Sequence, residues 1–427
     1  MNRRRQARLL IAIAGAGWLT AAAGSGQSPL TPSAMRNHQA IRYQQTPPED
    51  AVAILDDRLR RGEARLEFDS TTGYLRSVLK ALGVSEDSQI LVFSKTSFQA
   101  RRIGPDNPRA LFFNDTAAVG WVRGGEVLEF VAQDPRQGAI FYTLEQTQAA
   151  KPQFHRDLSC VQCHTWEATG NVPGMFLGSN FVDTDGAVLY SQVYSVDHRT
   201  PFEARWGGWY VTGRHEMPAH IGNGLVRPGE PLEGMMRPET VHVTSLRGRF
   251  DPTGYPHPDS SDIVALMVLE HQARLLNLIT RAGWEARLGP EAGRPLGEAI
   301  AELADYMLFA DEQPLPAPVA GTSSFADTFQ RGGPRDSKGR SLRDLDLQTR
   351  LMRYPCSFLI YSAPFDALPD SVKGGVYARL WDVLSGKATG PRYAHLTAHN
   401  RAAIVEILRD TKTDLPDYFR TGSLTGS

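Results

Sequence analysis

Cysteine is scarce: the chain has three in 427 residues. That excludes a scaffold built on disulfides, which needs many cysteines in a short chain. An excess of charge of one sign is also missing, with 46 Lys and Arg against 47 Asp and Glu. The electrostatic footprint of a nucleic-acid binder is therefore absent. Long apolar runs are missing too. The N-terminal run Leu9 to Leu19 is 11 residues long, against the roughly 20 that a bilayer span needs. No later stretch reads as a transmembrane segment of the mature chain. There is no internal repeat.

What is present begins at the N-terminus. MNRRRQARLLIAIAGAGWLTAAAG combines a basic start, a short apolar run and Ala21-Ala22-Ala23. This is the pattern of a secretory signal peptide, residues 1–23, cut after Ala23. It predicts a periplasmic or secreted protein. Without Arg3, Arg4, Arg5 and Arg8 the balance is 42 basic against 47 acidic residues.

Two of the three cysteines stand together in DLSCVQCHTW, residues 157–166. Cys160, Cys163 and His164 fit C-x-x-C-H, the attachment pattern of a c-type haem. The two thiols would form thioethers at the edge of the ring, and the adjoining histidine would ligate the iron. A thioredoxin-like dithiol needs a long helix after the motif, but here Gly/Pro-containing ATGNVPG follows almost at once. A structural zinc would want a second ligand pair, and no other cysteine pair exists, although distant histidines could complete a mixed site. Cys356, in RLMRYPCSFLIY, has the apolar neighbours of a buried, inert thiol.

A single haem needs far less than 427 residues, so the organisation of the remainder matters. Residues 24–50 are polar and Pro/Gln-rich and are expected to form an extended arm. Over 51–150 the spacing predicts two helices, near 50–61 and 71–84, and then a change of period. QILVFSK, ALFFND, AAVGWVR, VLEFVAQ and AIFYTLE are short apolar runs divided by turn residues. They predict an antiparallel meander of five strands. Residues 151–245 hold the haem segment and further strands, in VDTDGAVLYSQVY and RWGGWYVTG. Residues 246–427 are expected to be mainly helical, over 261–288, 296–310, SVKGGVYARLWDVLSG and AHNRAAIVEILRDTK. FADTFQRGGPRDSKGRSLRDL reads as a surface loop. The expected class is α+β: a β-rich antiparallel middle carrying the haem segment, then a helical C-terminal lobe.

The face of the iron opposite His164 would decide its reactivity. The densest set of candidates is RWGGWYVTGRHEMPAHIGNG, 205–224. His220 is the first choice as sixth ligand, then His215, then Met217. Trp206, Trp209 and Tyr210 would form a wall, and the glycines would let backbone approach a flat ring. Met175 is expected to pack beside the ring. Arg205 and Arg199 could pair with the haem propionates, His198 could hydrogen-bond nearby, and His155 could cover the propionate side. On the long helix, Met267, His271 and Arg274 share one face, with Glu270 beside them. A histidine there is more often a satisfied core residue. As distal groups, His271, Glu270 and Arg274 would handle protons.

LVFSKTSFQ (91–99), RALFFNDTAAVGWVRGG (109–125), AIFYTLEQ (139–146), DHRTPFEARWGGWYVTGRH (197–215), HIGN (220–223) and SDIVALMVLEHQ (261–272) carry a resemblance together with the C-x-x-C-H. They resemble a group of large, mono-haem, exported bacterial proteins described as cytochrome c domain-containing. The resemblance covers most of the mature chain. It implies one covalently attached haem c, with its iron on His164, and no particular reaction. The leading functional expectation is electron transfer with a redox partner protein or a small-molecule donor or acceptor. The alternatives are a haem-dependent oxidoreductase acting on peroxide or a small organic substrate through an open distal site, and a haem-based sensor or structural module.

Overall fold

The computed structural model describes residues 30–190, 194–229 and 236–422. The expected signal peptide lies outside the described residues. The chain is mixed α and β, with an antiparallel sheet in the middle and helices in the C-terminal part.

The five expected strands form where the apolar alternation places them: β1 (Ile90–Val92), β2 (Arg109–Phe113), β3 (Ala117–Trp121), β4 (Val127–Asp134) and β5 (Gly138–Glu145). Two short strands extend the sheet, β6 (His155–Arg156) beside β5 and β9 (Trp209–Tyr210) beside β1. The order across the sheet is β6-β5-β4-β3-β2-β1-β9. β7 (Leu177–Ser179) and β8 (Tyr194–Val196) pair separately.

β4 shows how the sheet is used, because buried and half-buried residues alternate along it. Leu128, Phe130 and Ala132 point into a core shared with α1 (Pro32–Asn37), α2 (Ala51–Arg60) and α3 (Leu75–Ala81). Glu129 and Val131 point to the other face. The register makes continuous rows on that second face. Leu111, Gly120, Glu129 and Thr143 form one row, and Ala118, Val131 and Phe141 the next.

The helical part comprises α4 (Pro238–Val241), α5 (Ile263–Leu288), α6 (Leu296–Met307), α7 (Phe325–Arg331), α8 (Ala363–Asp366), α9 (Asp370–Leu384), α10 (Ala398–Thr411) and α11 (Asp417–Thr421). α5 is 26 residues long and buried nearly all round, which makes it the axis of a second core. Its apolar window is long enough to cross a membrane, but 94% of it is buried inside the protein. Trp284 and Leu288, at its C-terminal end, reach the first core.

Two local expectations change. The polar arm contains α1, and Met35, Ile41 and Tyr43 are buried. Tyr43 donates to the carbonyl of Ala139 on β5 at 2.7 Å. The expected loop 325–345 begins as α7, because Phe325 and Phe329 are four apart and both turn inward.

α5 starts at Asp262, which is fully buried. Its Oδ1 accepts from the amides of Val264 and Ala265, and its Oδ2 from the amides of Thr322 and Ser323. One carboxylate thus caps the central helix and fixes a distant loop. Asp262→Ala is expected to cost roughly 2–4 kcal/mol, the lost cap plus stranded donors. Urea unfolding measures it, and a loss under about 1 kcal/mol would match an ordinary exposed cap instead.

Candidate functional site

The second face of the sheet, β7, one residue of α5 and the motif segment enclose a cavity of about 700 Å³. That is within the range of cofactor sites, roughly 300–1,000 Å³. Cys160, Cys163 and His164 all line it. Cys160–Gln162 is a single 3₁₀ turn and Glu167–Thr169 another. The long helix of a dithiol site does not follow. Burial pushes the Cys160 thiol up to about 11, whereas a reactive dithiol needs a lowered value. Among the described residues, no group of three or more His, Cys, Asp or Glu is arranged to hold a metal ion.

His164 is half-buried, with its ring centroid 4.8 Å from that of Phe141 and 5.7 Å from that of Phe176. Its Nδ1 lies 3.0 Å from the carbonyl oxygen of Gly174. A carbonyl only accepts, so Nδ1 carries the proton and Nε2 keeps its lone pair. Nε2 makes no hydrogen bond with the described residues. Burial lowers the pKa of this histidine, which favours the neutral imidazole that metals bind.

The lining fits a large, flat, mainly apolar group with a few polar contacts. Val92, Leu111, Val131, Phe141, Phe176 and Trp209 supply apolar surface. Gly120 leaves the floor bare at mid-strand, where a Cβ would come within 3.3 Å of Leu111 Cδ2 and 3.5 Å of Glu129 Cβ. A glycine inside a strand marks such close approach. Two polar atoms stay unpaired in the lining, Arg109 Nε and Asn180 Oδ1. Buried polar atoms normally have partners, so a ligand with polar groups suits this space.

Most of the other candidates are elsewhere, for identifiable reasons. His220 is fully buried, but both ring nitrogens are occupied: Nε2 lies 3.1 Å from the Val241 carbonyl, and Nδ1 accepts from the Gly222 amide at 3.1 Å. It has no lone pair left for iron and does not line the cavity. His215 receives the Met217 amide on Nδ1 and packs beside His220 and His242. Met217 is buried in the helical core. Trp206 packs edge-on to His220, and Tyr210 belongs to the first core. Of the expected wall, only Trp209 lines the cavity. His271 sits between His198 and Ser357, at 2.9 Å from His198 Nδ1 and 2.8 Å from Ser357 Oγ. It is a satisfied core residue. Glu270 pairs with Arg205 at 2.9 Å, Arg274 with Glu302 at 3.0 Å, and Arg199 with Asp197 at 2.6 Å. His155 is exposed on β6.

Met175 does line the cavity. It directly follows Gly174, whose carbonyl stands behind His164 Nδ1, on the side away from Nε2. Sequence reasoning missed Arg109, Gly120, Glu129 and Asn180. A charge at an inward strand position was the available signal at Arg109 and Glu129, but their pairing at 2.7 Å depends on the register.

No family model matches the chain, and neither a curated protein nor a solved structure is significantly similar to it.

Proposed function

We propose that this is an exported protein carrying one haem c, attached through Cys160 and Cys163, with a redox function. One observation carries the proposal: His164 Nδ1 is committed to Gly174, leaving Nε2 free beside two cysteines on the wall of a cofactor-sized cavity. The cytochrome c domain-containing group that the sequence resembles supplies the same expectation. When bound, haem c supplies one-electron exchange. The chain holds His164 neutral and fixes its ring through Gly174, which raises its basicity as a ligand. Phe141 and Phe176 restrict its rotation. The apolar lining keeps water from one side, and Cys163 and Phe98 are exposed at the rim. That rim is where a partner protein or small electron donor would approach.

A second role is favoured by one feature. Among the described residues lining the cavity, His164 is the one histidine. A lining without a second histidine suits an oxidoreductase or sensor, in which the haem would bind a small molecule. Expression in a host that matures c-type cytochromes tests both readings. The exported protein should carry the mass of one haem, and its absence with both cysteines intact sinks the first reading. Cyanide or carbon monoxide should shift the absorption spectrum, and a low-spin spectrum that neither changes sinks the second.

A further inference from the structure

The two unpaired polar groups in the cavity deserve a common explanation. Arg109 uses Nη1 to bind Glu129 Oε2 at 2.7 Å. Glu129 is held in turn by Ser97 Oγ at 2.9 Å and Gln99 Nε2 at 3.2 Å, both on Oε1. The guanidinium is thereby fixed by one corner. Its other edge is free, because Nε is buried without a partner and Nη2 makes no hydrogen bond with the described residues. An Nε–Nη2 edge is the fork that grips a carboxylate with two parallel hydrogen bonds. Asn180 is 3% exposed, and its Oδ1 has no partner. Oδ1 only accepts, so a carboxylate would be met by Nδ2, which donates and makes no hydrogen bond with the described residues.

The backbone holds Asn180 in place. Its amide donates to the Gly207 carbonyl at 2.9 Å, and a Cβ on Gly207 would fall 2.4 Å from the Asn180 carbonyl oxygen. Glycine at 207 is thus required for this contact. Arg109, Val92 and Trp209 form one row of the sheet, since Val92 pairs with both. Gly207 lies two residues before Trp209, so Asn180 enters the cavity next to that row.

We propose that Arg109 and Asn180 form a carboxylate-binding subsite in this cavity. The carboxylate could belong to the propionate side chains of the haem, or to a free small carboxylate. Only the first source rests on the haem proposal.

The test uses the full exported protein and formate as the probe. Two changes are compared with the wild type: Asn180→Leu, with Asn180→Ser as the milder variant, and Arg109→Gln together with Glu129→Gln, so that no lone charge is buried. Midpoint potential is followed against pH, and formate binding by absorption and by thermal unfolding. If the haem supplies the carboxylate, losing the guanidinium moves the pH-dependent step in potential upward by about 1–3 pH units, and formate does nothing. If the carboxylate is free, formate shifts the wild-type spectrum and melting point, and the variants bind it at least about tenfold more weakly. Unchanged pH profiles with no variant-sensitive formate binding overturn the subsite. A protein without covalent haem sinks the haem proposal, and formate-dependent melting of that protein still decides for or against the subsite.

Discussion

With Cys160 and Cys163 both replaced by alanine, the protein is expected to carry no covalent haem, as the proposed attachment requires. Intact mass falls to that of the bare chain, and denaturation in acid extracts any residual cofactor. In the proposed attachment the thiols are the covalent tether, and without them a haem would be held by one bond to His164, apolar contacts and the proposed carboxylate subsite. Tethering turns cofactor binding into an intramolecular event at high effective concentration, so its loss should also empty the cavity on dilution. Stability follows by linkage. A ligand held at 1,000 times its dissociation constant contributes about 4 kcal/mol, and a drop of at least that size is expected in chemical unfolding. His164→Ala separates tether from ligand, because it should keep the haem mass and alter the spectrum. Retention of covalent haem by the double cysteine variant would sink the attachment site outright.

The strands and long helices were legible because their signals are local. An alternating or 3.6-period apolar pattern is enforced wherever one face is buried; VLEFVAQ alternates at every position, whereas RALFF ends on two buried phenylalanines and α5 is buried nearly all round. The C-x-x-C-H pattern is local too, three residues in five, and it is the source of the haem expectation. The cavity was not. Its floor consists of residues from β2, β3, β4 and β5 that meet only through strand register, and register is a long-range property. Gly120, bare between Leu111 and Glu129, looks like any glycine until those neighbours are placed.

The segment 205–224 misled for a different reason. Glycine, tryptophan and histidine in quick succession suit a backbone lying against a flat cofactor, but they suit protein packing equally well. Here the glycines admit protein. A Cβ on Gly208 would meet Ser94 Cβ at 2.6 Å, on Gly213 Ile263 Cγ2 at 2.6 Å, and on Gly222 Val211 Cγ2 at 2.5 Å. The segment joins the sheet to α5, and His220 serves that junction by bridging the Val241 carbonyl and the Gly222 amide. The cavity is reached through Trp209 and Asn180 instead, one from each side of the Gly207 contact.

Arg205→Met should be strongly destabilising at pH 8, by about 3–5 kcal/mol, the cost of breaking a buried ion pair from one side. Arg205 and Glu270 are both buried in the protein interior, 2.9 Å apart. Burial pushes the Glu270 carboxyl up to about 7, against the pull of Arg205. Its unfolded value is about 4.3, so the folded chain binds the extra proton between those limits. That contribution to stability is full below about pH 4 and is lost as pH rises through 7. Removing the guanidinium raises the carboxyl further and extends the loss to higher pH. The variant should therefore be hurt more at pH 8 than at pH 5, where Glu270 is already neutral. A part of the cost is independent of pH, since Arg205 also donates to the carbonyls of Thr200 and His198. Changing Glu270→Met as well should recover the pH-dependent part and leave the rest. Urea unfolding at both pH values measures this, and equal losses at pH 5 and pH 8 would rule out the coupling. Haem content separates this role from propionate binding. Arg205 does not line the cavity, so Arg205→Met should leave haem content and midpoint potential unchanged while losing stability, whereas Arg109→Gln with Glu129→Gln should leave haem content unchanged and shift the pH dependence of the potential.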